Sequence, residues 1–391
     1  MRVAILVIAA ALAWSDCTAS AAQSARSPAR PTAPPSLSGS VAEKGVRVCA
    51  GGDVSLGTNL DTTWTLRARK WMRFVEAFPD PVRLLAPIVP LFADADVVLV
   101  NVEGAIGDGP AEAKCPPGTK NCFALRQPVA AAHALRTLSD SGVVVGNLAN
   151  NHSHDAGLDG LTATVQNLTA AGVLVAGVDT MATVVGTASG DTVAILGFGT
   201  SGIPDARDLE AVQRYVARAA ARYPHVVVTM HLGAEGASAQ AVQDSSEEYA
   251  GEQRGNPVAF ARAATESGAE LVVGHGPHVV RAMEWRGDAL VAYSLGNLAT
   301  YGPFSLLPPL DRGVILCATL GRKHEVSHVV LRPTRQRPPG KPLPDRSARA
   351  LRLVDSLARA QVGRAAPRML LEGRLLKPVR DSSGVMGAAR P

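Results

Sequence analysis

Five segments far apart in the chain each set an oxygen or nitrogen donor just past a run of β-branched residues. They hold Asp53, Glu103, the Asn150-Asn151-His152 triplet, His231, and the pair His275 and His278. One strand end cannot encircle a cation, whereas several strand ends meeting at one rim of a sheet can. Mixed carboxylate, amide and imidazole donors suit Mn, Fe or Zn better than Ca, so the pattern points to a bound divalent metal.

Each segment is weaker alone than in the set. In GGDVSLG (51–57) a glycine turn after the strand ending at Ala50 would release Asp53 across the rim, although such an Asp commonly only forms the turn. In NVEG (101–104) Glu103 shares a face with Asn101. GNLANNHSHDAG (146–157) packs amides, imidazoles and a carboxylate between a strand and a helix start. Burying them demands a partner for every polar group. Asn151 and His152 are the expected ligands there, with Asp155 either capping the following helix or orienting a histidine. HLGAEG (231–236) and GHGPH (274–278) also follow strands, and Gly276-Pro277 breaks the turn between the two histidines of the second. Any one of these imidazoles alone would read as a core or surface histidine; their joint placement after strands reverses that.

The elements that must position these residues are strand-like runs at 46–50, 96–100, 143–148, 192–199, 225–231, 270–274, 290–295 and 314–320. Amphipathic segments at 128–141, 158–171, 209–223 and 257–267 lie between them. Near-continuous apolar strands separated by helices predict an α/β domain whose sheets are covered by helices on their outer faces. It begins at about Val46 and runs to Leu331. Neither a Gly-x-Gly-x-x-Gly nor a Walker sequence occurs, so no nucleotide cofactor is expected.

Ahead of this domain, Met1-Arg2, the apolar run Val3 to Trp14 and Ala19-Ser20-Ala21 read as a secretory signal over residues 1–21. The run is short of the roughly 20 residues a membrane span needs, so export to the periplasm or the exterior is expected rather than anchoring. A Pro/Ser/Ala-rich linker follows over 22–45. An oxidising compartment permits a disulfide between Cys115 and Cys122, whereas Cys49 and Cys317, each inside an apolar run, read as small buried hydrophobes.

Charge is uneven. Residues 332–391 carry 14 Lys and Arg against 4 Asp and Glu, which leaves 25 against 30 in the rest. A polyanion, an anionic headgroup or nucleic acid could contact this basic tail, while the acidic body must hold anions through metal or local donors. Nucleic acid is therefore not the expected partner of the site. Within the tail, 332–344 reads as a linker and 348–359 as a short basic helix.

The five donor segments, with GEQRGN (251–256) and AYSLGNLAT (292–300), resemble the CapA family of capsule-synthesis, poly-γ-glutamate-associated proteins, similar in turn to calcineurin-like metallophosphatases. The resemblance implies a four-layer αββα double sandwich with metal at the strand ends. It matches Asp53 and Glu103 to the acids of the first two motifs and Asn151-His152 to the Asn-His motif. His231 falls in the His-x-Gly segment, and His275 with His278 form the last histidine pair. Three positions depart from the pattern: no histidine follows Asp53, Gly276 stands where His is common, and Leu298 where Phe is usual.

Two divalent ions about 4 Å apart would acidify a shared water for attack on a phosphoryl or acyl centre. His152 or His231 would act as ligand or general acid. Arg254 and Arg281 could hold an anionic substrate or be structural or surface arginines; Glu235 could bind substrate or a second metal or be a surface glutamate, and Asn297 is placed to reach the site. Two functions remain. One is an exported metal-dependent hydrolase acting on an anionic polymer or phosphoester in envelope metabolism. The other is a non-catalytic accessory protein that binds capsular polymer for a membrane synthesis complex.

Overall fold

The computed structural model describes residues 45–57, 60, 79–112, 114–115, 122–202, 204–302 and 304–378. The expected signal, all but the last residue of the linker, the loop after Leu60 as far as Phe78, and the end of the tail lie outside them. No helix among the described residues is long and apolar enough to cross a membrane.

In chain order the strands are β1 (Val46–Leu56), β2 (Val97–Val102), β3 (Val143–Asn147), β4 (Leu174–Ala176), β5 (Thr183–Gly186), β6 (Thr192–Gly199), β7 (His225–His231) and β8 (Leu271–His275). They continue as β9 (Met283–Arg286), β10 (Ala289–Ala292), β11 (Asn297–Tyr301), β12 (Arg312–Gly321), β13 (Glu325–Arg337), β14 (Lys341–Pro344), β15 (Arg368–Met369) and β16 (Arg374–Leu376). The helices are α1 (Pro81–Leu85), α2 (Ala130–Arg136), α3 (Gly157–Ala170), α4 (Leu209–Ala220), α5 (Pro257–Glu266) and α6 (Arg349–Gln361). Capping explains where two of them start: Asp208 accepts from the Ala211 N–H, and Asn256 accepts from Val258 and Ala259 just before the first-turn proline of α5.

One ten-stranded sheet runs β15-β16-β13-β12-β1-β2-β3-β4, with β11 beside β1 and β14 beside β13. A six-stranded sheet runs β9-β10-β8-β7-β6-β5. Strands β1 to β4 are parallel, as are β6, β7, β8 and β10. Parallel strands bring their carboxyl ends to one rim, where ligands of such sheets bind.

Side-chain alternation divides the apolar residues between three cores. Val48, Ala50, Val97, Leu99 and Val145 face across the sandwich onto Ile195, Val227 and Val273. Val98, Val100 and Val144 face outward onto Leu84, Leu85, Leu135 and Leu168 of α1 to α3. Val226, Val228 and Val272 face the opposite way onto Val212 and Val216 of α4 and Phe260 of α5. The result is the expected four layers, and burial on both faces is why these strands show no polar alternation.

The same alternation places the chemistry. Continuing the inward phase of 97 and 99 reaches Asn101 and Glu103; that of 145 reaches Asn147; those of 227 and 273 reach His231 and His275. In β1 the sequence expectation needs correcting, because Asp53 lies inside the strand rather than on a turn past it. The β1–β2 register slips between Ala50 and Asp53, and this bulge returns Asp53 to the inward face that Ala50 left. Gly52 permits the bulge, since a Cβ there would come 1.8 Å from the Gly296 carbonyl oxygen.

Two further expectations are overturned. Residues 332–344 are not a linker: β13 pairs with β12 along most of its length, and β14 folds back onto β13. Its sequence hides the strand because Arg332, Arg335 and Arg337 alternate with the buried Leu331, Thr334 and Gln336. The basic helix does form, as α6, and places Leu351 and Val354 in the core between the sheets. Cys49 and Cys317 are not separate hydrophobes but a disulfide, because β1 and β12 pair with the two residues directly opposite. The expected Cys115–Cys122 disulfide is present.

Candidate metal centre

Backbone register sets two facing rows at the rim. Asn297, Asp53, Asn101 and Asn147 lie side by side on β11, β1, β2 and β3. Gly199, His231 and His275 do so on β6, β7 and β8. Asn101 joins the rows: its Nδ2 donates to Asp53 Oδ1 at 2.9 Å and lies 3.2 Å from His231 Nδ1. Its Oδ1 accepts from Asn147 Nδ2 at 2.9 Å and Asn150 Nδ2 at 3.2 Å.

The ionisable groups close around this row. His275 Nδ1 is 3.5 Å from Asp53 Oδ1 and His278 Nδ1 is 3.2 Å from Asp53 Oδ2. His278 Nε2 is 3.5 Å from Glu103 Oε1 and 3.7 Å from Glu235 Oε2, while His231 Nε2 is 4.0 Å from Glu103 Oε1. One donor atom each of Asp53, Glu103 and His278 lie within 4.8 Å of one another. Gly276, at φ +105°, donates its N–H to Asp53 Oδ2, and a Cβ there would reach 3.1 Å from the His231 ring. That explains a glycine where the related pattern has histidine, and it leaves both His275 and His278 facing Asp53. His278 itself sits at φ +60°, a left-handed conformation that costs an L-residue about 1–2 kcal/mol and is held by Nδ1 against Asn297 Oδ1 at 2.9 Å.

Burial and mutual charge set the protonation. Burial works against the Asp53 carboxylate, but His275 and His278 outweigh it and hold the group well below the usual carboxylate range. Burial drives Glu103 well above that range; His278 opposes this, while Asp53, Glu235 and Asp155 add to it. Burial keeps His231 well below the usual imidazole value, hence neutral. Burial also opposes charge on His278, yet Glu103 and Asp53 raise it well above that value.

Both Glu103 carboxylate oxygens, His231 Nε2 and His275 Nε2 are buried and accept or donate no hydrogen bond among the described residues. Unpaired buried polar atoms are costly, and a cation bound among them relieves that cost, so this donor set fits a divalent metal. A cation displaces the protons held on Glu103 and His278. The sign is therefore fixed: binding releases protons, and affinity rises with pH. Mn(II) affinity is expected to climb by about one log unit per pH unit for each displaced proton while the pH stays below the raised Glu103 and His278 values. Calorimetry in buffers of differing ionisation enthalpy reads this directly, and a pH-independent affinity would sink the assignment.

The remaining expected residues divide. His152 is one hydrogen-bond step outside the cluster: its N–H donates to Asn150 Oδ1, and its Nδ1 lies 2.6 Å from Asp155 Oδ2. Asp155 thus orients a histidine and does not cap α3, whose N-cap Ala156 has no side-chain bond. Asn150 turns inward onto Asn101 Oδ1 and the Val102 carbonyl, and Asn151 Oδ1 is buried with no hydrogen-bond partner among the described residues, as the Glu103, His231 and His275 donors are. Glu235 reaches the cluster and also pairs with Arg254 at 2.9 Å, and Arg254 pairs again with Glu252 at 3.1 Å. Asn297 contacts His278. Arg281 is not available to substrate: it is wholly buried, with both terminal nitrogens on Glu247 at 3.0 and 2.7 Å.

Asn147, Glu247 and Lys114 were not singled out as site residues from sequence. The inward phase of β3 could have found Asn147. Nothing local marks Lys114, whose Nζ lies 3.0 Å from Asp155 Oδ1.

Residues 47–301, which is 255 of 391, match the family model described as Bacterial capsule synthesis protein PGA_cap. The PGA biosynthesis protein CapA of Bacillus subtilis (strain 168) is 29% identical over 182 residues, covering 42% of this chain and 44% of that protein. The Capsule biosynthesis protein CapA of Bacillus anthracis is 26% identical over 183 residues, covering 42% and 41%. The matched stretch spans less than half the length of either relative.

Proposed function

Because the chain belongs to the bacterial capsule synthesis protein family PGA_cap, we propose that it is an exported metal-dependent hydrolase acting on capsular or poly-γ-glutamate-type polymer outside the cytoplasm. The proposal includes a cleaved signal over 1–21 and one or two divalent ions, Mn, Fe or Zn. The observation that carries it is the set of buried, unpartnered donors on Glu103, His231 and His275 beside Asp53 and His278.

Asp53, Glu103, His231, His275 and His278 would hold the metal, which when bound supplies Lewis-acid stabilisation of charge developing on a phosphoryl or carbonyl oxygen. The chain's own residues supply the rest. Asn101 fixes the Asp53 carboxylate against the His231 ring, and Asn297 fixes His278. Asp155 holds His152 by Nδ1, which leaves Nε2 as the nitrogen that passes a proton to the leaving group. Arg254, a buried guanidinium whose charge is felt at His231, supplies a counter-charge for an anionic substrate.

Hydrolysis of bis-p-nitrophenyl phosphate and of poly-γ-glutamate, each with and without chelator, tests this reading. Chelator-sensitive turnover that is lost in His152→Ala is the expected result. Tight polymer binding without turnover would instead establish a non-catalytic accessory protein serving a membrane synthesis complex.

A further inference from the structure

Asp155 is wholly buried, and its two oxygens are used differently. Oδ2 takes the His152 ring at 2.6 Å and accepts the Leu125 N–H at 2.6 Å. Among the described residues, Oδ1 has no hydrogen-bond partner and its ion pair is with the Lys114 ammonium, 3.0 Å away. Lys114 Nζ also donates to the Asn151 carbonyl at 3.0 Å, so it spans the His152 loop. Lys114 directly precedes Cys115, and Leu125 follows three residues after Cys122, the two cysteines being joined by a disulfide. Both flanks of the disulfide-closed loop are therefore fastened to the one carboxylate that orients His152.

We propose that Lys114, held in place by the Cys115–Cys122 disulfide, is a positioning residue that fixes the Asp155 carboxylate and keeps His152 aimed, so that the working geometry of His152 depends on the oxidised state of this loop. The physical reason is that a buried carboxylate oxygen without another partner is costly, and the ammonium set against it both relieves that cost and fixes the carboxylate in place. A lysine side chain is long and free to move, so it stays over Asp155 only if its backbone is fixed. The disulfide fixes the backbone at the adjacent residue, and the Leu125 N–H pins the other flank. Lys114 touches no substrate in this scheme; its catalytic consequence rests on the proposed role of His152 as proton donor.

The test uses the full chain loaded with Mn(II) for turnover of bis-p-nitrophenyl phosphate, and the metal-free chain for proton NMR of the His152 Nδ1–H, assigned by its absence in His152→Gln. Lys114→Met and the double variant Cys115→Ser with Cys122→Ser are expected to lose this resonance to solvent exchange. Both are expected to lower kcat about tenfold with little change in KM, the size of effect that loss of an orienting partner produces. Lys114→Arg should restore both readouts. If either variant fails to fold, mild reduction of the native parent opens the half-buried Cys115–Cys122 pair, while Cys49–Cys317 is wholly buried. Loss of the resonance with no turnover in the parent supports the positioning role and refutes the hydrolase reading. An unchanged resonance in Lys114→Met or in the reduced protein overturns the proposal.

Discussion

Asp53→Ala protein is expected to fold yet lose divalent metal, with Mn(II) affinity falling by more than the about 100-fold that loss of an outer-shell partner costs. Asp53 is the one carboxylate of the cluster held well below the usual range, and so the one already charged when a cation arrives. His275 and His278 both face it, at 3.5 and 3.2 Å, and among the described residues no other carboxylate is paired with both. Glu103 remains 3.5 Å from His278 when Asp53 is removed, and circular dichroism of the variant checks that the fold is kept. Metal content after purification and a calorimetric Mn(II) titration are the measurements. Parent-like metal content in Asp53→Ala would remove the cluster as the metal centre, and the exposed Arg83→Ala serves as an unaffected control.

Glu247→Ala is expected to cost about 3–5 kcal/mol of stability, the penalty for leaving a buried charge without its partner. Arg281 has no solvent exposure, and Glu247 alone supplies its counter-charge; the Ala239 and Ala234 carbonyls accept its other hydrogens at 2.6 and 3.3 Å. Glu247 Oε2 also accepts the Ala234 N–H at 2.8 Å, which ties down the segment carrying Glu235. Arg262→Ala provides the contrast, since its pair with Asp244 is exposed on both sides and surface pairs contribute about 1 kcal/mol or less. Equilibrium urea unfolding decides the matter. A Glu247→Ala loss no larger than that of Arg262→Ala would show that the buried pair is not a structural anchor.

Much of this was legible in the sequence for reasons tied to particular residues. Runs such as HVVVTMH and ELVVGH have a fixed two-residue phase, so the face that carries Val227 and Val273 must also carry His231 and His275. Helix starts were legible at Asp208 and Asn256-Pro257 because capping is local chemistry. The strand at 325–337 was not, because charged and proline residues break its apolar pattern and read as a linker, although it pairs as a hairpin with the preceding strand β12.

Local spacing thus determined eight of the strands, most of the helices, the candidate donors and the short-range Cys115–Cys122 loop. Tertiary structure alone decided which donors meet. The Cys49–Cys317 disulfide, the Arg281–Glu247 pair and the reach of Lys114 to Asp155 join residues whose contact depends on register between distant strands or on loop paths. Even Asp53, found by its residue type, gained its inward direction from a bulge that exists only because Gly52 passes against Gly296. A side chain's phase along its own strand is set by neighbours one and two residues away, whereas its partner across the sandwich is set by how the sheets stack.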